Sequence, residues 1–242
     1  MTDDPTTAHP EAGQADGDGP RYSHHDLLTG AKTLPPLDEA RRELKHSLAD
    51  ELRSCAESAS LLDATAEDED DMRSYVALAR ALSGRLASAA SLGPAGGPNF
   101  STTWQAALTE RSPVSGRSNP VAAPLRIEGF VDGVLHAHAV FTHQHEGPPL
   151  CAHGGVIAAA FDEMVGVAQA TAGVAGVTGT LAVRMRRPTP LHQRIDFRAE
   201  YSKVDGRKIF VSAHSLLAGE VLAEADAIMI VPRDGSVHRQ KR

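Results

Sequence analysis

The chain has 242 residues, of which 41% are apolar and 4% aromatic, and a formal net charge of −7, a size that suits one ordinary domain with an extension. The charge is uneven: residues 1–72 carry 18 Asp or Glu against 6 Lys or Arg, giving −12, and the remainder carries 13 against 18, giving +5. Scattered basic residues with few aromatics argue against a nucleic-acid partner and fit a small polyanionic ligand better. The two cysteines, Cys55 and Cys151, lie in unlike segments, which points to no disulfide framework and fits a reducing cytoplasm. With no basic, apolar leader at the N-terminus and no uncharged run long enough to span a bilayer, a soluble cytoplasmic protein with no membrane partner is expected.

Residues 1–35 mix Asp, Gly, Pro and Thr and read as a disordered N-terminal tail. The His24-His25 pair in it lacks the Cys or spaced carboxylates of a metal site. Apolar residues then recur at Leu37, Ala40, Leu44, Leu48, Leu52, Cys55, Ala59 and Leu62, the spacing of an amphipathic helix. A second helix is predicted over 67–90, with acids in its first turn and Met72, Tyr75, Ala79, Leu82 and Leu86 on one face. Together, residues 36–92 are expected to form a helical hairpin packed on the following domain or on a partner subunit. A Gly/Pro-rich linker over 93–116 follows, with Phe100 and Trp104 as candidate anchors.

The runs LRIEGFVDG and VLHAHAVFT predict a β-hairpin turning at Asp132-Gly133. His136 and His138 share one face of its second strand, and His143 and His145 follow. Neutral imidazoles two apart on a strand can converge on a metal ion. Against this, only Glu146 supplies a carboxylate at a matching spacing, so solvated or packed histidines, and no metal, are expected.

Residues 148–173, PPLCAHGGVIAAAFDEMVGVAQATAG, carry the clearest signal. After Pro and Gly comes a run of small apolar residues broken only by Asp162, Glu163 and Gln169, which reads as a helix buried on most sides. Carboxylates in such a run need hydrogen bonds or a raised pKa, and such groups cluster at functional sites. His153-Gly154-Gly155 brings two residues without side chains to the helix start, where backbone N–H groups lack intrahelical partners. Four further extended runs follow, GTLAVRMRRPTPL, RIDFRAEYSKVD, KIFVSAHSLLAG and EVLAEADAIMIVP, separated by short turns such as Asp205-Gly206 and Ala218-Gly219, with a polar tail over 234–242. Two strands, one helix and four strands make an α+β fold, one helix against an antiparallel meander.

His153-Gly154-Gly155, Asp162 and Gly166 resemble the His-Gly-Gly…Asp signature of hotdog-fold acyl-CoA thioesterases, in the branch named for 4-hydroxybenzoyl-CoA and phenylacetate-pathway enzymes. The resemblance covers the stretch 117–233, taken as the hotdog domain. It implies a curved antiparallel sheet wrapped around a long central helix, an acyl-CoA substrate, no cofactor, and active sites formed in a homodimer or a dimer of dimers.

For hydrolysis, the Gly155 N–H suits a developing oxyanion and Asp162 suits a general base for water or a nucleophile forming an anhydride. Seven residues of helix separate the two by about 10 Å, so a two-fold dimer pairing Gly155 of one chain with Asp162 of the other is expected. Glu163 is the rival carboxylate, pointing about 100° around the helix. His153 is a candidate for holding the helix entry and positioning water. By resemblance, Thr180 stands where relatives carry a water-orienting Ser or Thr, and Arg184, Arg186 and Arg187 stand where phosphates of coenzyme A pass. Several relatives place an Asn or Gln shortly before His-Gly-Gly. This chain has His145-Glu146-Gly147-Pro148-Pro149, so His145 or Glu146 substitutes or the group is absent. A hydratase would need a differently spaced Asp and His, and no Gly-x-Ser-x-Gly elbow is completed around Ser118. A non-catalytic acyl-CoA-binding or scaffold protein is the remaining alternative.

Overall fold

The structure is a computed structural model that describes residues 39–89, 110, 112–174 and 176–233. The expectations for the tails at 1–35 and 234–242, for His24-His25, and for Phe100 and Trp104 lie outside the described residues. In chain order the elements are α1 (Glu39–Ser60), α2 (Glu69–Ala87), β1 (Arg126–Val131), β2 (Val134–Val140), α3 (Gly154–Ala168), β3 (Val177–Met185), β4 (Arg194–Asp205), β5 (Lys208–Leu217) and β6 (Glu220–Ile230). A 3-10 turn, His143–His145, precedes α3, and another, Gln169–Ala172, follows it.

The six strands form one antiparallel sheet in the order β1-β2-β4-β5-β6-β3. The tight turns fall where the sequence puts them: Asp132-Gly133 and Ala218-Gly219 both take positive φ at both positions, the twist that favours hairpins. Alternation along the strands gives the sheet one apolar face, and α3 packs on it against β2 to β6. The helix contributes Ile157, Ala160, Phe161, Met164, Val165, Val167 and Ala168 to the core. Opposite them, Ala137, Ala199, Ala213, Ala223, Ala225 and Ala227 keep the sheet surface low, so the helix backbone can approach closely. The rings of Phe141, Phe197 and Phe161 follow one another edge to face, with centroids 6.5 and 5.6 Å apart, a favourable aromatic geometry.

The buried Gln169 explains one of the polar interruptions in the central run. Its amide donates to Gly176 C=O at 3.0 Å and its oxygen accepts from Gly176 N–H at 2.7 Å. It therefore satisfies both backbone groups of a buried residue and pins the end of α3 to the start of β3.

The two N-terminal helices differ from the expected hairpin. Among the described residues they do not pack along one another, and only α1 docks on the sheet domain. Its buried His46 and Ala49 face the domain; His46 Nε2 lies 3.0 Å from Glu110, and Arg53 donates to Asn119 C=O at 2.6 Å. With the docking positions of α1 committed to the domain, α2 has no buried residue and exposes Leu78, Leu82 and Leu86.

Gln169→Met should lower the free energy of unfolding by about 3 kcal/mol, because two buried backbone groups lose their partners. Urea denaturation followed by circular dichroism reads this directly. An unchanged midpoint would show that the clamp contributes nothing.

Candidate active site

The approach to α3 is built by short-range backbone pairing. His153 N–H donates to His145 C=O at 2.8 Å and Ala152 N–H to Thr189 C=O at 2.8 Å, and isolated bridges join Glu146 to Ala152 and Cys151 to Pro190. A Cβ on Gly147 would lie 2.8 Å from His153 Cα, so only glycine allows the loop to close on itself there. His153, held this way, is extended at φ −64° and ψ 134° and caps the helix: its Nδ1 accepts the Gly155 N–H at 2.9 Å. Gly154, the first helical residue, has an N–H that helix geometry leaves without an intrahelical acceptor.

One side of α3 is not covered by the sheet. Gly155, Ala158, Ala159, Asp162 and Gly166 recur at helical spacing along it and are exposed or half-exposed. Asp162 sits in the middle of this strip, and its Oδ1 accepts the Thr178 hydroxyl at 2.8 Å. Glu163, one position on, turns toward the loop before β1, where the hydroxyl of buried Ser115 donates to it. The two adjacent acids therefore have different surroundings: Asp162 faces open space beside a hydroxyl, and Glu163 ties a loop to the helix.

Thr180 does not share the surroundings of Asp162. The β3–β6 register shifts between Thr178 and Thr180, so Thr178 pairs with Met229 while Thr180 pairs with Ile228. Met229 points into the core, so Thr178 is on the helix side of the sheet and Thr180 on the other. The intervening Gly179 passes against Ile230, whose Cγ1 would lie 2.6 Å from an added Cβ. A Thr-Gly-Thr run carries that signal, since glycine inside a strand often marks a bulge.

Arg184 and Arg186 reach carboxylates on the outer sheet face, Asp226 at 2.7 Å and Glu224 at 2.8 Å, and Arg187 pairs with Glu220. All three are more than half exposed. Three of the four histidines take different partners: His138 bonds Glu128, His143 faces Glu146 and lies over His192, and half-buried His145 packs edge-on to Phe141. His145 Nδ1 accepts Thr142 N–H at 3.1 Å, and burial lowers its pKa. Glu146 accepts from Leu150 N–H. His145 Nδ1 and the Glu146 carboxylate are thus both engaged in holding the turns before α3. Sequence reasoning also passed over Glu57 of α1. Its carboxylate accepts the Thr142 hydroxyl and the His143 and Gln144 N–H groups, a long-range pairing that no local pattern announces.

No family profile matches the chain. Among curated proteins it is similar to acyl-coenzyme A thioesterase THEM4 of Mus musculus, 33% identical over 87 residues, or 35% of this chain and 37% of that protein. It is also similar to acyl-coenzyme A thioesterase THEM4 of Bos taurus, 28% identical over 106 residues, or 38% of this chain and 44% of that protein. The match thus spans less than half the length of either relative. Among solved structures, the crystal structure of a thioesterase superfamily protein aligns over 83% of this chain and 100% of that one, with 29% identity and a TM-score of 0.67. The strand order around a single buried helix, the His-Gly-Gly entry and these likenesses agree on one architecture: the chain has the hotdog fold and is similar to thioesterases that share it.

Proposed function

We propose that the protein is an acyl-CoA thioesterase, hydrolysing a thioester to a free acid and coenzyme A. The observation that carries this reading is Asp162: an exposed carboxylate in a bare Gly/Ala strip, hydrogen-bonded to Thr178, on the helix whose first turn is Gly154-Gly155. Small residues on both sides of it leave room for a planar thioester. The THEM4 likeness supports the acyl-CoA class.

The chemistry needs an electrophile held and a nucleophile supplied. In the ground state the Gly155 N–H is given to the His153 imidazole. A thioester oxygen that becomes negatively charged is a stronger acceptor than neutral imidazole, so the developing oxyanion displaces the ring and takes the N–H. Asp162 then acts in one of two ways. As general base it removes a proton from the water that attacks the carbonyl carbon; as nucleophile it forms an anhydride that water opens. In both, the C–S bond breaks and the thiolate of coenzyme A leaves and takes up a proton. Thr178 orients the Asp162 carboxylate.

About 10 Å of helix separates Gly155 from Asp162, so one chain does not flank a carbonyl with both. Among the described residues β3 pairs only with β6 and is one of the two edges of the sheet, the other being β1. An open strand edge is a template for a second copy. Joining two β3 edges would bring the bare strips of two α3 helices together, which supports a homodimer or dimer of dimers with composite sites. Arg184, Arg186 and Arg187 fit coenzyme A phosphates if those displace their present carboxylate partners; exposed pairs of this kind are worth only about 0–1 kcal/mol.

The Gly155 N–H already given to His153, and the absence of an Asn or Gln over 145–152, shortly before His153, favour a second reading, a non-catalytic acyl-CoA-binding protein. Thiol release from short, medium, long and aryl acyl-CoAs separates the two. The wild type should turn over at least one ester, and Asp162→Ala should lower kcat by roughly 10²–10⁴-fold with its circular dichroism unchanged. Thr178→Val should cost roughly tenfold, the worth of one hydrogen bond to a charged group. Glu163→Ala should act mainly on melting temperature. Binding of acyl-CoA without thiol release would favour the second reading.

Light scattering should give a mass of two or four chains. A monomer with undiminished activity would rule out composite sites. One turnover in ¹⁸O-water tests the nucleophilic role: label in the Asp162 carboxylate requires an anhydride opened at the Asp162 carbonyl carbon, whereas label in the product acid alone fits a general base or an anhydride opened at the acyl carbon.

A further inference from the structure

We propose that Glu57, on α1 and outside the sheet domain, is a positioning residue for the site: its carboxylate holds the turn from which the helix cap His153 is suspended. This rests on the thioesterase reading for its kinetic consequence, and on geometry for the coupling itself. Glu57 Oε1 accepts His143 N–H at 2.9 Å, and Oε2 accepts Gln144 N–H at 3.2 Å together with the Thr142 hydroxyl. These three donors open the 3-10 turn His143–His145, and backbone N–H groups at such a start have no partner within the turn itself.

The contacts continue without a gap. Within the turn, His145 Nδ1 accepts Thr142 N–H at 3.1 Å, which locks the turn closed. The C=O of the same His145 accepts His153 N–H at 2.8 Å, and His153 Nδ1 accepts Gly155 N–H at 2.9 Å. Four consecutive interactions thus lead from a residue 86 positions upstream of His143 to the amide proposed to hold the oxyanion. The carboxyl is kept ionised accordingly: burial opposes the charge, and the Thr142, Gln144 and His143 hydrogen bonds outweigh it, so its pKa lies below the ordinary carboxylate value. The rest of α1 gives Glu57 a fixed base, because Arg53, one turn earlier, donates to the Asn119 C=O at 2.6 Å, and Ala49 is buried. A group acting through others in this way alters the placement of the cap rather than contact with substrate, so it should affect turnover more than apparent affinity.

The test uses the full chain with octanoyl-CoA and phenylacetyl-CoA, and amide hydrogen exchange of the free protein. Glu57→Ala should lower kcat roughly tenfold with KM within about twofold. Its amide exchange should quicken at His143 and Gln144 and also, about tenfold, at His153. Glu57→Gln, which keeps the size and one carbonyl acceptor, should lie between the two at about threefold, and it carries the test if the alanine variant fails to fold. The proposal is overturned if kcat per folded chain is unchanged in both variants, or if exchange quickens at 143 and 144 while His153 stays as slow as in wild type. If the wild type releases no thiol from either ester, the thioesterase reading fails by itself, and exchange at His153 still decides whether Glu57 positions the cap.

Discussion

The structure depends on α3 being buried on one side only. Its large residues, Ile157, Phe161, Met164 and Val165, face a sheet whose buried positions mix alanine with larger apolar residues, so the helix lies deep in the concave surface and cannot roll without opening voids. Close packing of this kind fixes the rotation of the helix about its own axis. Once that rotation is fixed, the residues left over are also fixed: a strip of Gly and Ala with Asp162 in its centre. The candidate site is the part of the helix that the core does not use.

Three polar ties then set the helix along its axis. At the C-terminal end Gln169 grips both backbone groups of Gly176, which brings the first residues of β3, Thr178 among them, alongside Asp162. In the middle, Glu163 holds Ser115 of the incoming loop. At the N-terminal end, His153 caps the first turn and hangs from His145. Each tie uses a group that would be costly to leave unpaired, and the one between Glu163 and Ser115 also joins segments distant in sequence. The site is therefore rigid where it meets the sheet and open where it faces away from it.

The N-terminal helices divide into a docked and a free element. α1 meets the domain largely through polar and charged contacts, His46 with Glu110, Arg53 with backbone carbonyls and Glu57 with the turn before α3. Such contacts supply register more than affinity, and they are arranged at the entrance to the site. α2 takes no part in this and keeps its apolar side exposed.

Sequence by itself determined the element order, the turns at Asp132-Gly133 and Ala218-Gly219, and the central helix with its two carboxylates, because these follow from local periodicity and from residues with restricted backbone freedom. It also marked His153, Gly155 and Asp162 through a compact motif. Tertiary structure alone decided the rest. The bulge at Gly179 exchanged Thr180 for Thr178 beside Asp162, because one extra residue reverses the faces of a strand. The carboxylates of β6 took up Arg184 and Arg186, since cross-strand neighbours are set by register and not by sequence distance. Glu57 met the turn at 142–144, and α1 and α2 failed to pair, because an amphipathic pattern states that a face will be covered and is silent about what covers it.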